Sequence, residues 1–268
     1  TGDEKIDVAS IEPMPLDIRK LVGRRAAMEL RRGDVVNLGV GFPEFVATVA
    51  REEGVGELFT LTVESGSTGG FPAYGLSFGA AMNATSVIDH TYQFDFYDGG
   101  GLDITFVGLA EMDRTGNVNV SRLANRVPGI GGFFNVTQSA DRVVFCGQFT
   151  AGDTDIVVED GRLVIRKDGD VTKFVEAVEQ ITFNAGVAID RGQSVLAVTE
   201  RAVFRIDADG PVLVEIAPGV DLERDILAKM DFRPRIAKDL REMDAALFRD
   251  GTIGLATTIT ASEVRINE

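Results

Sequence analysis

Residues 61–70, Leu-Thr-Val-Glu-Ser-Gly-Ser-Thr-Gly-Gly, set one carboxylate, Glu64, between an apolar run and a glycine-rich bend. The run Phe59 to Val63 predicts a buried strand. A charged residue at its mouth must face solvent, a partner charge or a ligand, because unpaired burial costs several kcal/mol. The glycines that follow remove side-chain bulk and admit positive φ, so a large ligand can approach the backbone. An ionised carboxylate in such an open setting is suited to nucleophilic attack on an acyl group. Taken alone, the segment reads first as a polar strand end before a turn.

Two further bends offer backbone amides rather than side chains. Asn37-Leu38-Gly39-Val40-Gly41-Phe42-Pro43 joins a strand to a helix start, where free N–H groups and the positive helix end suit an anion. No Gly-Lys-Ser/Thr follows, so it is not a P-loop, and the third glycine of a dinucleotide fingerprint is missing. Pro128-Gly129-Ile130-Gly131-Gly132-Phe133 precedes a helical turn predicted over Phe134 to Gln138, and successive glycine amides there can form an oxyanion nest. Each bend also reads as a plain structural turn. His90 is the one histidine of the chain, which excludes His-based zinc clusters and leaves little room for a Ser-His-Asp triad. Chemistry must then come from carboxylates, backbone amides and a bound group.

Positioning these segments requires an alternation of strands, turns and helices. After an extended arm over residues 1–14, a helix is predicted from Asp17 to Arg32. Ile18, Val22, Ala26 and Leu30 line one face, Asp17 stands as N-cap, Arg31 and Arg32 suit the negative end and Gly33 closes it. A strand at Val35 to Leu38 leads through the Gly39-Val40-Gly41 turn to a helix opened by Pro43-Glu44. The strand at Phe59 to Val63 repeats the pattern, so the sites should lie beyond the strand carboxyl ends of an α/β sheet. The Tyr/Phe stripe of residues 92–98 reads as core packing. A hairpin is expected from Ile104 to Met112 and Val118 to Val120, then a buried strand from Asp141 to Cys146. Hairpins follow around Asp160-Gly161 and Asp209-Gly210, then helices over Leu222 to Met230 and Ile236 to Phe248. The expected fold is one α/β domain spanning 1–268, an open sheet with flanking helices and β-hairpin additions in its second half.

Composition narrows the function. A chain of 268 residues that is 44% hydrophobic and 26% charged is ordinary for a soluble domain. Its apolar runs fall short of the ~20 residues of a membrane span. A net charge of −15 argues against nucleic acid as a partner. The lone Cys146, within an apolar run, reads as a buried inert thiol in a reducing, cytoplasmic setting.

Five ordered motifs carry a resemblance that covers nearly the whole chain, from about Pro13 to Phe248. They are Val-Asn-Leu-Gly-Val-Gly-Phe-Pro (36–43), Thr-Val-Glu-Ser-Gly-Ser-Thr-Gly-Gly (62–70), Tyr-Gln-Phe-Asp-Phe-Tyr-Asp-Gly-Gly-Gly-Leu-Asp (92–103), Gly-Asn-Val-Asn-Val-Ser-Arg (116–122) and Gly-Ile-Gly-Gly-Phe (129–133). The chain resembles the carboxy-terminal, beta-type half of family I CoA-transferases, in the propionate/acetate CoA-transferase branch. The resemblance implies an α/β fold of the NagB/RpiA/CoA-transferase kind. It also implies CoA transfer between an acyl-CoA and a short-chain carboxylate, with coenzyme A as substrate and no prosthetic group or metal. Glu64 matches the glutamate that forms a glutamyl-CoA thioester. Gly132 matches a backbone donor to the oxyanion, with Gly131 beside it, and Gly39, Val40 and Gly41 match the turn near bound CoA. Members of this branch are about twice as long, so an amino-terminal alpha-type half is expected as partner, within a higher oligomer. Two other activities fit the same residues: an acyl-CoA hydrolase using the same glutamate, and a non-catalytic sensor of CoA esters.

Overall fold

The computed structural model describes residues 4–73, 75–123 and 126–259. Its centre is a ten-stranded sheet: β1 Val35–Leu38, β2 Thr60–Thr62, β3 Ser67–Thr68, β4 Ser86–Val87, β5 Ile104–Gly108, β6 Arg142–Cys146, β7 Ser194–Val198, β8 Ala202–Asp207, β9 Gly210–Ile216 and β10 Arg235–Glu242. The spatial order is β10-β9-β8-β7-β6-β5-β1-β2-β3-β4. Strands β7, β6, β5, β1 and β2 run parallel, and antiparallel pairing at β2–β3, β3–β4, β7–β8 and β8–β9 extends the sheet on both sides.

The parallel strands are short apolar runs buried on both faces, as such strands must be. Alternate residues feed two cores. Val36, Leu38, Phe106 and Val144 face helices α1 (Ile18–Ala27) and α2 (Glu44–Glu52). Val107, Val143 and Phe145 join Tyr97 and Val136, which come from α3 (His90–Asp98) and α4 (Phe133–Ser139). A short α5 (Ala185–Asp190) packs Ala185 and Ala188 into the second core. Among the described residues no helix is long and apolar enough to cross a membrane.

Asp17 caps α1 as expected, accepting from the N–H groups of Arg19 and Lys20, but the helix stops at Ala27 rather than Arg32. The chain is pulled out of helix by longer-range bonds: the N–H of Gly33 reaches the carbonyl of Leu58 at 2.7 Å, and Asp34 accepts from the N–H of Arg31 while pairing with Arg142. The stretch predicted as one strand from Ile104 to Met112 divides after Gly108. Its second part, Glu111–Asp113, pairs with Val118–Asn119 and with Phe174–Val175 in a separate small sheet.

The expected helix over Ile236 to Phe248 is instead the edge strand β10 followed by a 3₁₀ turn, Ala245–Phe248. The open edge of β9 needs a partner for its backbone, and Arg241 of β10 reaches the buried Glu215 at 2.6 Å. Leu222 to Met230 is one π turn and one 3₁₀ turn rather than a regular helix. Both late hairpins form at the predicted turns, with Asp160 and Gly161 at φ 50° and 75°. In the amino-terminal arm, a 3₁₀ turn at Val8–Ser10 is tied down by Arg51, which donates to the carbonyls of Val8 and Ile11.

Candidate active site

Strand β2 delivers Glu64 into a tight turn closed by the N–H of Gly66 on the carbonyl of Val63 at 2.9 Å, with the N–H of Val63 on the carbonyl of Ser67 at 2.9 Å. Gly66, Gly69 and Gly70 take positive φ, as the glycine-rich bend predicts. What crowds two of them is the chain itself. A Cβ on Gly66 would lie 2.0 Å from the carbonyl oxygen of Ile88, and one on Gly70 would lie 2.1 Å from that of Met82. Those two glycines therefore admit the neighbouring backbone of residues 82–88.

The space beside the Glu64 side chain is set by Gly132. A Cβ there would fall 2.2 Å from Glu64 Oε2 and 2.7 Å from the ring of Phe94. Gly132 stands as N-cap of α4 at φ −78°, so the carboxylate meets the amino end of that helix. Among the described residues no hydrogen bond runs from the Gly132 N–H to a protein acceptor. Gly131, at φ 52°, has open space where a side chain would be. On the opposite side of Glu64, His90 Nδ1 lies 2.9 Å from the Glu64 carbonyl oxygen. The Glu64 carboxyl is half-buried. Burial raises its pKa above the ordinary value, and the nearby His90 offsets this in part.

Beneath the turn lies a polar network inside the core. The Tyr97 hydroxyl donates to Thr62 Oγ1 at 2.9 Å, and Thr62 Oγ1 donates to the carbonyl of Val36 at 2.7 Å. Thr105 Oγ1 donates to Asn37 Oδ1 at 3.0 Å, and Asn37 Nδ2 approaches the Tyr97 hydroxyl at 3.5 Å. Burial raises the Tyr97 pKa. The stripe of residues 92–98 is core on one side only: Tyr97 is inaccessible while Tyr92 is 66% exposed. Sequence reading passed over this network. Its available signal was a polar residue inside each apolar strand: Asn37, Thr62 and Thr105.

The Gly39-Val40-Gly41 turn sits at the carboxyl end of β1, beside β2. The Gly39 N–H bonds the carbonyl of Phe106 at 2.8 Å, Gly41 has φ 89°, and Val40 is 64% exposed. Val40 and Gly41 line a cavity of about 450 Å³ together with Gly108, Gly147, Gln148 and Lys173. Lys173 is buried and donates to the carbonyl of Gln148 at 2.7 Å; burial lowers its pKa to about 8, against the pull of Glu200. Cys146 is fully buried and its thiol pKa is raised by burial, which suits an inert side chain. Among the described residues no group of three His, Cys, Asp or Glu side chains is placed to hold a metal ion.

The structure thus brings Glu64 and Gly132 into contact and sets the Gly39–Gly41 turn on the adjoining strand end. No protein-family model matches the chain. It is 46% identical over 254 residues to "Acetate CoA-transferase YdiF" of Escherichia coli K12, covering 95% of this chain and 48% of that protein. It is 47% identical over 261 residues to "Caffeate CoA-transferase" of Acetobacterium woodii, covering 96% of this chain and 50% of that protein. The chain therefore spans about half the length of these relatives. It is also 30% identical over 239 residues to "Acetate CoA-transferase subunit beta" of Escherichia coli K12, covering 97% of that subunit. The crystal structure of the acyl-CoA transferase YdiF apoenzyme from Escherichia coli O157:H7 superposes with a TM-score of 0.88 at 45% identity, over 94% of this chain and 47% of that one. With a whole beta subunit matched almost end to end, this chain belongs to the CoA-transferase family.

Proposed function

We propose that this chain carries the nucleophile of a CoA transfer between an acyl-CoA and a short-chain carboxylate of the acetate, propionate or butyrate class. The observation that carries the reading is the contact of the Glu64 carboxylate with Gly132 at the amino end of α4. Glu64 attacks the acyl carbonyl of the acyl-CoA. The oxygen of the tetrahedral adduct takes up negative charge, and the Gly132 N–H is the donor that stabilises it. CoA thiolate leaves, giving a mixed anhydride, then attacks the glutamyl carbonyl and expels the product carboxylate. An incoming carboxylate attacks the glutamyl-CoA thioester, and the same two steps run backwards to a new acyl-CoA and free Glu64. Every departing group leaves as an anion, so no general acid is needed, in keeping with a site built from one carboxylate and backbone amides. A CoA thioester complex is known for YdiF, which supports the intermediate here.

The same proposal gives the cavity behind Val40 and Gly41 to part of the CoA ester, with Lys173 as the cation that an anionic group would meet there. Residues 1–268 act as one beta-type domain. An alpha-type half completes the site, as the beta-subunit relative and the double length of YdiF support, and the assembly is a larger cytoplasmic oligomer.

Incubation with acyl-CoA but no acceptor should add the mass of CoA to a peptide containing Glu64, and borohydride should then inactivate the enzyme by reducing the thioester. Glu64→Asp withdraws the carboxylate by on the order of 1 Å and should lose ~100-fold in rate. Full activity in Glu64→Ala would end the proposal. Product formation without any carboxylate acceptor would convert it to hydrolysis.

A further inference from the structure

Helix α3 presents one continuous face to the Glu64 turn. His90 lies 2.9 Å from the Glu64 carbonyl oxygen, Phe94 crowds the Gly132 that touches the carboxylate, and Tyr97 bonds Thr62. Gln93 sits within this face, one turn after His90 and one turn before Tyr97, because residues three and four apart share a helix face. It is 1% exposed, and both its Nε2 and its Oε1 lack a hydrogen-bond partner. The Tyr97 hydroxyl is close by, yet the two make no hydrogen bond of good geometry. An unpartnered buried amide destabilises a fold, and native structures keep few of them.

We infer that Gln93 is a hydrogen-bond donor to the reacting carboxyl of Glu64, its Nε2–H holding one carboxyl oxygen through the anhydride and thioester stages. The inference rests on the covalent role proposed for Glu64. A neutral donor suits the task better than a cation. Glu64 alternates between a charged carboxylate and two neutral acyl forms, and each keeps an oxygen able to accept an N–H. A lysine or arginine at the same place would favour the carboxylate alone and blunt it as a nucleophile.

The test uses the active enzyme containing this chain. Gln93→Met keeps the volume and removes both polar atoms. kcat should fall by roughly 10²-fold, the loss usual for one such donor. The infrared carbonyl band of the trapped glutamyl-CoA thioester should move to higher frequency as its hydrogen bond disappears, while the melting temperature holds or rises because two unpaired groups are gone. An unmoved carbonyl band overturns the inference, whatever happens to kcat. Gln93→Glu supplies a second arm: a like charge beside Glu64 should shift the acid limb of acylation to higher pH, and an unshifted limb also overturns it. Absence of any thioester in the unaltered enzyme would sink the proposed function itself; a thioester whose band ignores Gln93 would sink this assignment alone.

Discussion

Glu64 and Gly132 are set against each other with no slack, and the chemistry and stability of the site follow from that. Burial holds the Glu64 pKa above its ordinary value of 4.5. The folded protein therefore disfavours the ionised form. That penalty is fully present above the folded pKa, shrinks as pH falls through it, and is gone below the unfolded value. Glu64→Gln should abolish thioester formation yet raise the melting temperature at pH 7, with the gain vanishing in acid; a stability loss at pH 7 would show that the carboxylate is held by favourable partners. In the unaltered enzyme, acylation should fail on the acid side at a pKa above that of a free glutamate, read from the pH dependence of single-turnover rates. Gly132→Ala has a distinct signature. At φ −78° alanine is comfortable on the backbone, so the 2.2 Å approach of its Cβ to Glu64 Oε2 must displace the carboxylate. We expect kcat to fall by about 10²-fold with KM little changed, and a modest loss of stability because the Phe94 ring, 2.7 Å from the new Cβ, is pushed aside as well. A change in CoA affinity alone would move this loop from the reaction to binding.

At the scale of elements, α3, β2, β1 and β5 are joined by the buried Tyr97–Thr62–Asn37–Thr105 network, so the turn that carries Glu64 is braced by polar bonds. Tyr97→Phe removes the hydroxyl and leaves Thr62 and Asn37 without it. Urea unfolding should show a loss of about 1–3 kcal/mol, with a larger fractional loss in kcat than in substrate binding. If kcat and stability are both unaffected, the network does not brace the site. These elements were unequally legible in the sequence. The strand at Val35–Leu38, the Asp17 cap and the two late hairpins rest on local signals: apolar runs, a capping carboxylate, and Asp-Gly turns. The end of α1 and the identity of β10 do not. They depend on partners far along the chain, Leu58 for Gly33 and Glu215 for Arg241, which no local pattern encodes. Glu64 and Gly132 were legible as motifs, but their contact was not, because it arises from loops 68 residues apart in the sequence meeting beyond the carboxyl end of β2. Gln93 was invisible for a related reason: a glutamine in a stripe of Tyr and Phe looks solvated until α3 is seen to bury it.

For the whole molecule, the question is what covers the rim of the site. Val87 of β4, Val127, Ile130 and Phe134 are each more than 40% exposed, and each lies within five residues along the chain of Ile88 or Gly132, the groups packed against the Glu64 turn. Helices α3 and α4 are tied together at the surface, with Asn135 Nδ2 donating to Asp98 at 2.9 Å. Exposed apolar side chains on neighbouring segments mark a surface made for a partner, and about half of YdiF lies outside the region this chain matches. We therefore expect an alpha-type half to dock here through an obligate interface of roughly 2,000 Å² or more. A chain of net charge −15 must also draw an anionic CoA ester against its own field, and basic groups on the partner would relieve that. Purified alone, the 268-residue chain should associate and show no acyl transfer; with an alpha-type half it should become active. Charged substitutions at the rim, Val127→Glu with Phe134→Glu, should block that rescue while leaving the unfolding free energy of the isolated chain within about 0.5 kcal/mol of its parent's, as surface changes do. Robust turnover by the pure chain would mean that its own residues complete the site, and the rim would then need another explanation.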